Sequence, residues 1–232
     1  MEVGPQRPIP PLVPALGWAE VPIAPVDEPL VPVAAIGSRV VDDPRYHAMG
    51  LPGAPAGGWV RQGVAERLAR AAGGLPGGMC LIVWDGWRAL ETQAALYEGY
   101  LEELAMEYPD LTRHDLELVA RPYVTPPRPD PSAPPPHLTG GAVDVTLGDA
   151  DGLPLDLGTD HDAFVPEAGA MALEGIDLPA RELRRLLFWA MSGQGFTQYL
   201  EEWWHFDFGN QFWGRVTGRT ARYAAAGPPG SS

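Results

Sequence analysis

Seventeen of the 27 prolines in this chain fall in two stretches, nine in residues 5–32 and eight in residues 122–136. Proline fixes φ at about −65° and has no amide N–H, so neither stretch can be a helix interior or a central strand. Regular structure must come from the remaining sequence, with two stiff irregular segments laid against it. In the first stretch Leu12, Val13, Leu16, Trp18, Val21 and Ile23 interleave with the prolines. That pattern gives an extended arm of polyproline or strand-edge character, packed on a domain surface.

At 232 residues the chain is long enough to bury one sizeable core. Val60, Val64, Leu68 and Ala71 recur at helical spacing between Trp59 and Ala72, and Gly73-Gly74 ends the run. Met79 to Trp84 reads as a buried strand, and Trp87 to Tyr108 as a long helix that Pro109 stops. Ala142 to Leu147 reads as a strand, residues 148–176 as irregular, and Leu178 to Met191 as an amphipathic helix with Pro179 in its first turn. Phe196 to Tyr199 and Trp203 to Phe208 read as strands. The expected fold is α+β, a single compact domain with a mostly antiparallel sheet and packed helices. The arm takes residues 1–35, the domain residues 36–223, and a disordered tail residues 224–232.

A net charge of −14 repels polyanions, which disfavours nucleic acid and anionic membrane surfaces as partners. All 16 basic residues are arginine, so Schiff-base and P-loop lysine chemistry is excluded. The one cysteine, Cys80, sits inside an apolar run and reads as a small buried hydrophobe; it cannot form an internal disulfide or a Cys-rich zinc site. No signal peptide or membrane-spanning run is visible, so the expectation is a cytoplasmic protein.

Of the five histidines, His137 and His205 keep unusual company. His137 opens His-Leu-Thr-Gly-Gly-Ala-Val-Asp, which ends at Asp144, and His205 closes Glu-Glu-Trp-Trp-His, which carries Glu202. In an unbroken strand His137 and Asp144 would point to opposite faces. Gly140-Gly141 permits a turn or bulge that restores convergence. Two imidazoles and one carboxylate form a usual catalytic zinc shell with one position left for water. A carboxylate beside such a water, here Glu202 ahead of its strand, is the expected general base of a metallopeptidase. Each histidine also fits the ordinary role of partner to a carboxylate or carbonyl. His47, His114 and His161 read as non-ligands, with a pocket position open to His161 between Asp160 and Asp162. The acidic residues of 149–162 lack the spacing of a calcium loop.

The two motifs together resemble those of the zinc D-alanyl-D-alanine dipeptidases, the VanX-like branch of the zinc D,D-peptidases. Asp85-Gly86-Trp87-Arg88, Gly158-Thr159-x-x-Asp162-x-Phe164 and the stretch Val41 to Tyr46 extend the likeness over roughly residues 40 to 215. The resemblance implies one zinc ion per chain on His137, Asp144 and His205, at the edge of an antiparallel sheet. It implies that Glu202 is the base and that Arg88 hydrogen-bonds the scissile carbonyl and its oxyanion. It implies Asp162 as the partner of the substrate ammonium and Tyr46 as a pocket residue. The implied reaction is hydrolysis of D-Ala-D-Ala or a similar small dipeptide. The alternatives are a D,D-carboxypeptidase or endopeptidase on peptidoglycan stems, or an inactive zinc-binding module of the same fold. The chain departs from the family in having Pro135 where a serine is usual, and in the length of its 122–136 loop. The sequence leaves the oligomeric state open.

Overall fold

The structure, a computed structural model, describes residues 7–230. Seven strands are present: β1 (Leu30–Pro32), β2 (Val40–Asp42), β3 (Trp59–Arg61), β4 (Cys80–Asp85), β5 (Ala142–Gly148), β6 (Thr197–Gln198) and β7 (His205–Asp207). The α-helices are α1 (Arg45–Ala48), α2 (Gln62–Gly73), α3 (Leu90–Glu107), α4 (Arg113–Ala120), α5 (Pro179–Ser192) and α6 (Gln211–Thr217). Five strands form one sheet in the order β2-β4-β5-β7-β6, and β1 pairs with β3 in a separate ribbon. All the pairings are antiparallel except β2 with β4. This is the α+β domain with a mostly antiparallel sheet that the pattern of elements predicts.

Strand β4 explains the centre of the fold. Its run Cys80-Leu81-Ile82-Val83-Trp84 is buried throughout, as a strand covered on both faces must be. Leu68 and Val64 of α2, Leu187 and Met191 of α5, and Trp203, Trp204 and Phe206 near β7 join it in one apolar core. A smaller cluster under α3 and α4 joins Tyr97, Tyr100, Leu101 and Leu116 to Tyr123 and Phe164. No described helix is long and apolar enough to cross a membrane.

Three of the described α-helices went unread in the sequence: the four-residue α1, α4 and α6. Helix α4 begins with a capping box, Thr112 accepting from the Asp115 amide while the Asp115 carboxylate accepts from that of Thr112. Helix α6 is capped by the Asn210 side chain and ends at Gly218 in the left-handed region.

The irregular segments are held by side chains. Residues 157–169 are tied to α5 by Arg184, 1% exposed, which donates to the carbonyls of Leu157, Glu167 and Gly169 at 2.7–2.9 Å. Burial lowers the pKa of this guanidinium to about 10. Gln211 Nε2 ties the two proline-rich stretches together, donating to Val21 O at 2.7 Å and Ser132 O at 2.9 Å. The tail, expected to be disordered from Ala224, is anchored over its first residues. Ala226 N donates to Leu138 O at 2.9 Å, and Trp87 Nε1 donates to Ala226 O at 3.1 Å.

Gly141 precedes β5 with no room for a side chain. A Cβ there would lie 2.6 Å from Phe208 O and 2.9 Å from the Tyr223 ring. Gly141→Ala should therefore cost about 1–3 kcal/mol through overpacking. Thermal unfolding followed by circular dichroism should show Tm lower by roughly 2–12 °C. An unchanged Tm would mean that the Phe208 backbone yields freely.

Candidate metal centre

His137 lies on a 3₁₀ turn, Pro136–Thr139, at the end of the second proline-rich stretch. Gly140 ends the turn at φ 70°, where a Cβ would collide with the Leu30 side chain. This left-handed step swings the chain into β5 and brings His137 and Asp144 to one side, the convergence the glycine pair predicts. Asp144 on β5 stands directly opposite His205 on β7 in the sheet register. Both strands are inner strands, so the site lies on the sheet between them and not at its edge, where the resemblance placed it.

The three side chains meet tightly, and all are buried. His137 Nε2 lies 3.1 Å from His205 Nδ1, His205 Nδ1 lies 3.1 Å from Asp144 Oδ1, and His137 Nε2 lies 3.5 Å from the same oxygen. Behind them, His137 Nδ1 faces Gly86 O at 2.8 Å and Asp85 Oδ2 at 3.1 Å. His205 Nε2 lies 3.2 Å from Asp207 Oδ1, close but without the alignment of a hydrogen bond. With the ring hydrogens on His137 Nδ1 and His205 Nε2, each imidazole turns its lone pair into the triangle. Two lone pairs and a carboxylate oxygen directed at one point require a positive charge there. Zn–ligand bonds of ~2.0–2.1 Å in a tetrahedron put ligand atoms about 3.3 Å apart, so the triangle fits such an ion.

Electrostatics tell the same story. Burial favours protonated Asp144, but His137, His161 and His205 outweigh it and hold the carboxyl well below its ordinary pKa. Burial opposes charge on the His205 ring, yet Asp207 and Asp144 hold it well above its ordinary pKa. Against burial and Arg88, Asp144 and Asp85 raise His137 as well.

Glu202 sits on the bend before β7. Its Oε2 lies 3.9 Å from His205 Nδ1, and the side chain is buried. Flanking contacts fix the bend: Trp203 N donates to Ala168 O at 2.9 Å, Gln198 Nε2 to Trp203 O at 2.7 Å, and Trp203 Nε1 to Thr159 Oγ1 at 2.8 Å. Burial pushes the Glu202 carboxyl up to about 8. A divalent cation in the triangle acts in the opposite direction.

Arg88 is buried beside the triangle and highly committed. Nε donates to Asp85 at 2.8 Å, Nη1 to Gln93 at 2.9 Å, and Nη2 to the Tyr46 hydroxyl at 3.2 Å and Asp144 Oδ2 at 3.3 Å. The Tyr46 hydroxyl donates to Asp162 Oδ2 at 2.9 Å. Asp162 is the only non-glycine described residue at positive φ, 57°. The structure thus brings together all seven residues singled out in the sequence.

Sequence reasoning missed the supporting layer. His161, read there as a non-ligand, lies 3.4 Å from Asp144 Oδ2, packed between the Trp84 and Trp204 rings. Gln93 and Asp207 also went unremarked, and Asp85, quoted in the turn before Arg88, was given no role of its own. Asp207 had a signal, since i and i+2 on a strand share a face and it follows His205 by two. The centre opens into a cavity of about 570 Å³, walled by Trp18 of the arm, Tyr123 of the second proline-rich stretch, and Phe164, Tyr199 and Phe212.

Residues 60–223 match the M15 peptidase family, described as D-Ala-D-Ala dipeptidase. A D-alanyl-D-alanine dipeptidase from Synechocystis sp. is 28% identical over 218 residues, 84% of this chain and 88% of that one. One from Enterococcus faecium is 31% identical over 136 residues, 56% of this chain and 62% of that one. One from Escherichia coli is 30% identical over 131 residues, 56% of this chain and 55% of that one. The crystal structure of a vancomycin-resistance D,D-pentapeptidase in complex with Zn(II) aligns with 88% of this chain at 15% identity and a TM-score of 0.43.

Asp207→Asn keeps the size of the side chain behind His205 but can turn an N–H toward the ring. Zinc affinity, measured by competition with a chromophoric chelator, should fall roughly 10- to 100-fold. Equal affinity would show that Asp207 does not fix the orientation of His205.

Proposed function

This chain belongs to the M15 family of D-Ala-D-Ala dipeptidases and is a metallopeptidase, and on that premise we propose that it hydrolyses D-Ala-D-Ala or a similar small dipeptide. His137, Asp144 and His205 hold one zinc ion, and Glu202 is the general base. The observation that carries this reading is the buried triangle of ligand atoms with Glu202 Oε2 3.9 Å from one corner, on the wall of a cavity.

A zinc ion bound there supplies Lewis acidity and lowers the pKa of a water toward neutrality. Glu202 takes a proton from the attacking water and delivers it to the leaving nitrogen. The C–N bond breaks, and the products are a free carboxylate and a free amine. Burial raises the Glu202 carboxyl, and a positive charge in the triangle would favour its ionised, basic form.

Arg88 uses four of the five guanidinium N–H bonds on Asp85, Gln93, Tyr46 and Asp144. The fifth is left for the scissile oxygen, and Arg88 lines the cavity. Charge developing on that oxygen is met by a guanidinium whose position is already fixed, so little reorganisation is needed in the transition state. Asp162, whose side chain is 28% exposed and lines the cavity, takes the substrate ammonium. Tyr46 fixes it from behind.

Release of D-alanine from D-Ala-D-Ala, assayed with and without added zinc, tests the reading. Wild-type chain should show zinc-dependent release. Glu202→Gln should lose roughly 10²–10⁴-fold in kcat while still binding one zinc per chain. Full activity in that variant would remove Glu202 from the chemistry. No release by zinc-loaded wild type would sink the D-Ala-D-Ala assignment and leave the metal site standing.

A further inference from the structure

The cavity has a charge problem that points to its substrate. Asp144, Asp162, Glu201 and Glu202 all line it, and the Arg88 guanidinium is already paired with Asp85 and Asp144. A dipeptide is a zwitterion. A divalent ion in the triangle and Arg88 bring three positive charges against these four negative ones, so this end stays acidic: the ammonium suits it, and the carboxylate is better met by a cation elsewhere on the wall.

Two other cations line the cavity, Arg121 and Arg128, both in the segment between α4 and the His137 turn. Both are exposed, and neither forms an ion pair or a side-chain hydrogen bond among the described residues. Most other arginines are committed, to carboxylates as Arg45, Arg113, Arg181, Arg185 and Arg222 are, or to backbone carbonyls as Arg39, Arg61 and Arg184 are.

The backbone beside each free guanidinium is tied to the metal centre. Next to Arg121, Pro122 O accepts from the Tyr199 hydroxyl at 2.7 Å, and the Tyr199 ring lies 5.8 Å from that of His205. Three residues before Arg128, Thr125 O accepts from Gln93 Nε2 at 2.7 Å, while Gln93 Oε1 holds Arg88. Pro122, Pro126, Pro127 and Pro129 stiffen the span, so little backbone freedom remains to be lost when a ligand is gripped.

We infer that Arg121 and Arg128 receive the C-terminal carboxylate of the substrate. The inference rests on the dipeptidase reading and adds to it the requirement for that carboxylate. It gives the second proline-rich stretch a task in specificity.

Binding separates this inference from the catalytic reading. In the zinc-loaded Glu202→Gln chain, calorimetry compares D-Ala-D-Ala with its C-terminal amide. Amidation should weaken binding roughly 10- to 100-fold, the range of a hydrogen bond to a charged group. With Arg121→Gln and Arg128→Gln added, the acid should bind as weakly as the amide, and amidation should change nothing further. Both arginines are exposed and unpaired, so the added changes leave the fold intact, which circular dichroism checks. A preference for the acid that survives both substitutions overturns the inference. So does equal binding of acid and amide before them, or binding of neither. Failure of wild type to release D-alanine, with the acid preference present and arginine-dependent, would overturn the catalytic reading alone.

Discussion

The Asp144 carboxylate is the constraint around which the rest of the site is organised. It is 2% exposed on an inner strand, where an uncompensated charge is prohibitively costly. Four groups surround it: His137 and His205 near Oδ1, Arg88 and His161 near Oδ2. Each comes from a different part of the chain, so satisfying one carboxylate forces the second proline-rich stretch, the turn after β4, the 157–169 segment and β7 into register. The same four contacts assign its two oxygens different tasks. Oδ1 is left to the metal triangle, and Oδ2 anchors the Arg88–Tyr46–Asp162 chain.

That chain links metal binding to substrate binding. Arg88 touches Asp144 and Tyr46, and the Tyr46 hydroxyl donates to Asp162. A shift of Asp144 is therefore felt at Asp162, the residue proposed to meet the ammonium, through three hydrogen bonds in a low-dielectric setting. The left-handed backbone of Asp162 belongs to this account, because an aspartate at φ 57° persists only where its surroundings hold it. Tyr46 holds its carboxylate, and Arg184 holds the carbonyls of Leu157, Glu167 and Gly169 on either side of it.

How much of this could be read from the sequence depended on distance along the chain. The turn that rescues His137 was legible, because Gly140 and Gly141 have no other reason to interrupt a strand pattern. The place of Glu202 ahead of its strand was legible from the Glu-Glu-Trp-Trp-His run. The central strands were legible from their apolar runs. The parallel pairing of β2 with β4 was not, since β2 spans only three residues and its partner is set by tertiary packing. Helix α6 was hidden because its aromatic start follows the strand-like Trp203 to Phe208, although Asn210 and Gly218 carried cap signals. His161 read as a non-ligand with a pocket position open to it, and only the folding of the 157–169 segment against Trp84 and Trp204 turns it toward Asp144.

The proline distribution has its explanation in the cavity. Its walls include long stretches with no strand or helix, and such backbone must find partners for every buried N–H or leave it costly and orphaned. Proline removes the donor altogether and also narrows the unfolded ensemble, so a wall built of it needs fewer partners and loses less entropy on folding. The hydrogen bonds that fix the second stretch follow this rule: Pro122 and Thr125 are gripped through their carbonyls, by Tyr199 and Gln93. Each of those donors also reaches toward the metal centre. An irregular wall thereby acquires a defined position relative to the reacting atoms, which a flexible loop of the same length would lack, and the arginines it carries can select a substrate.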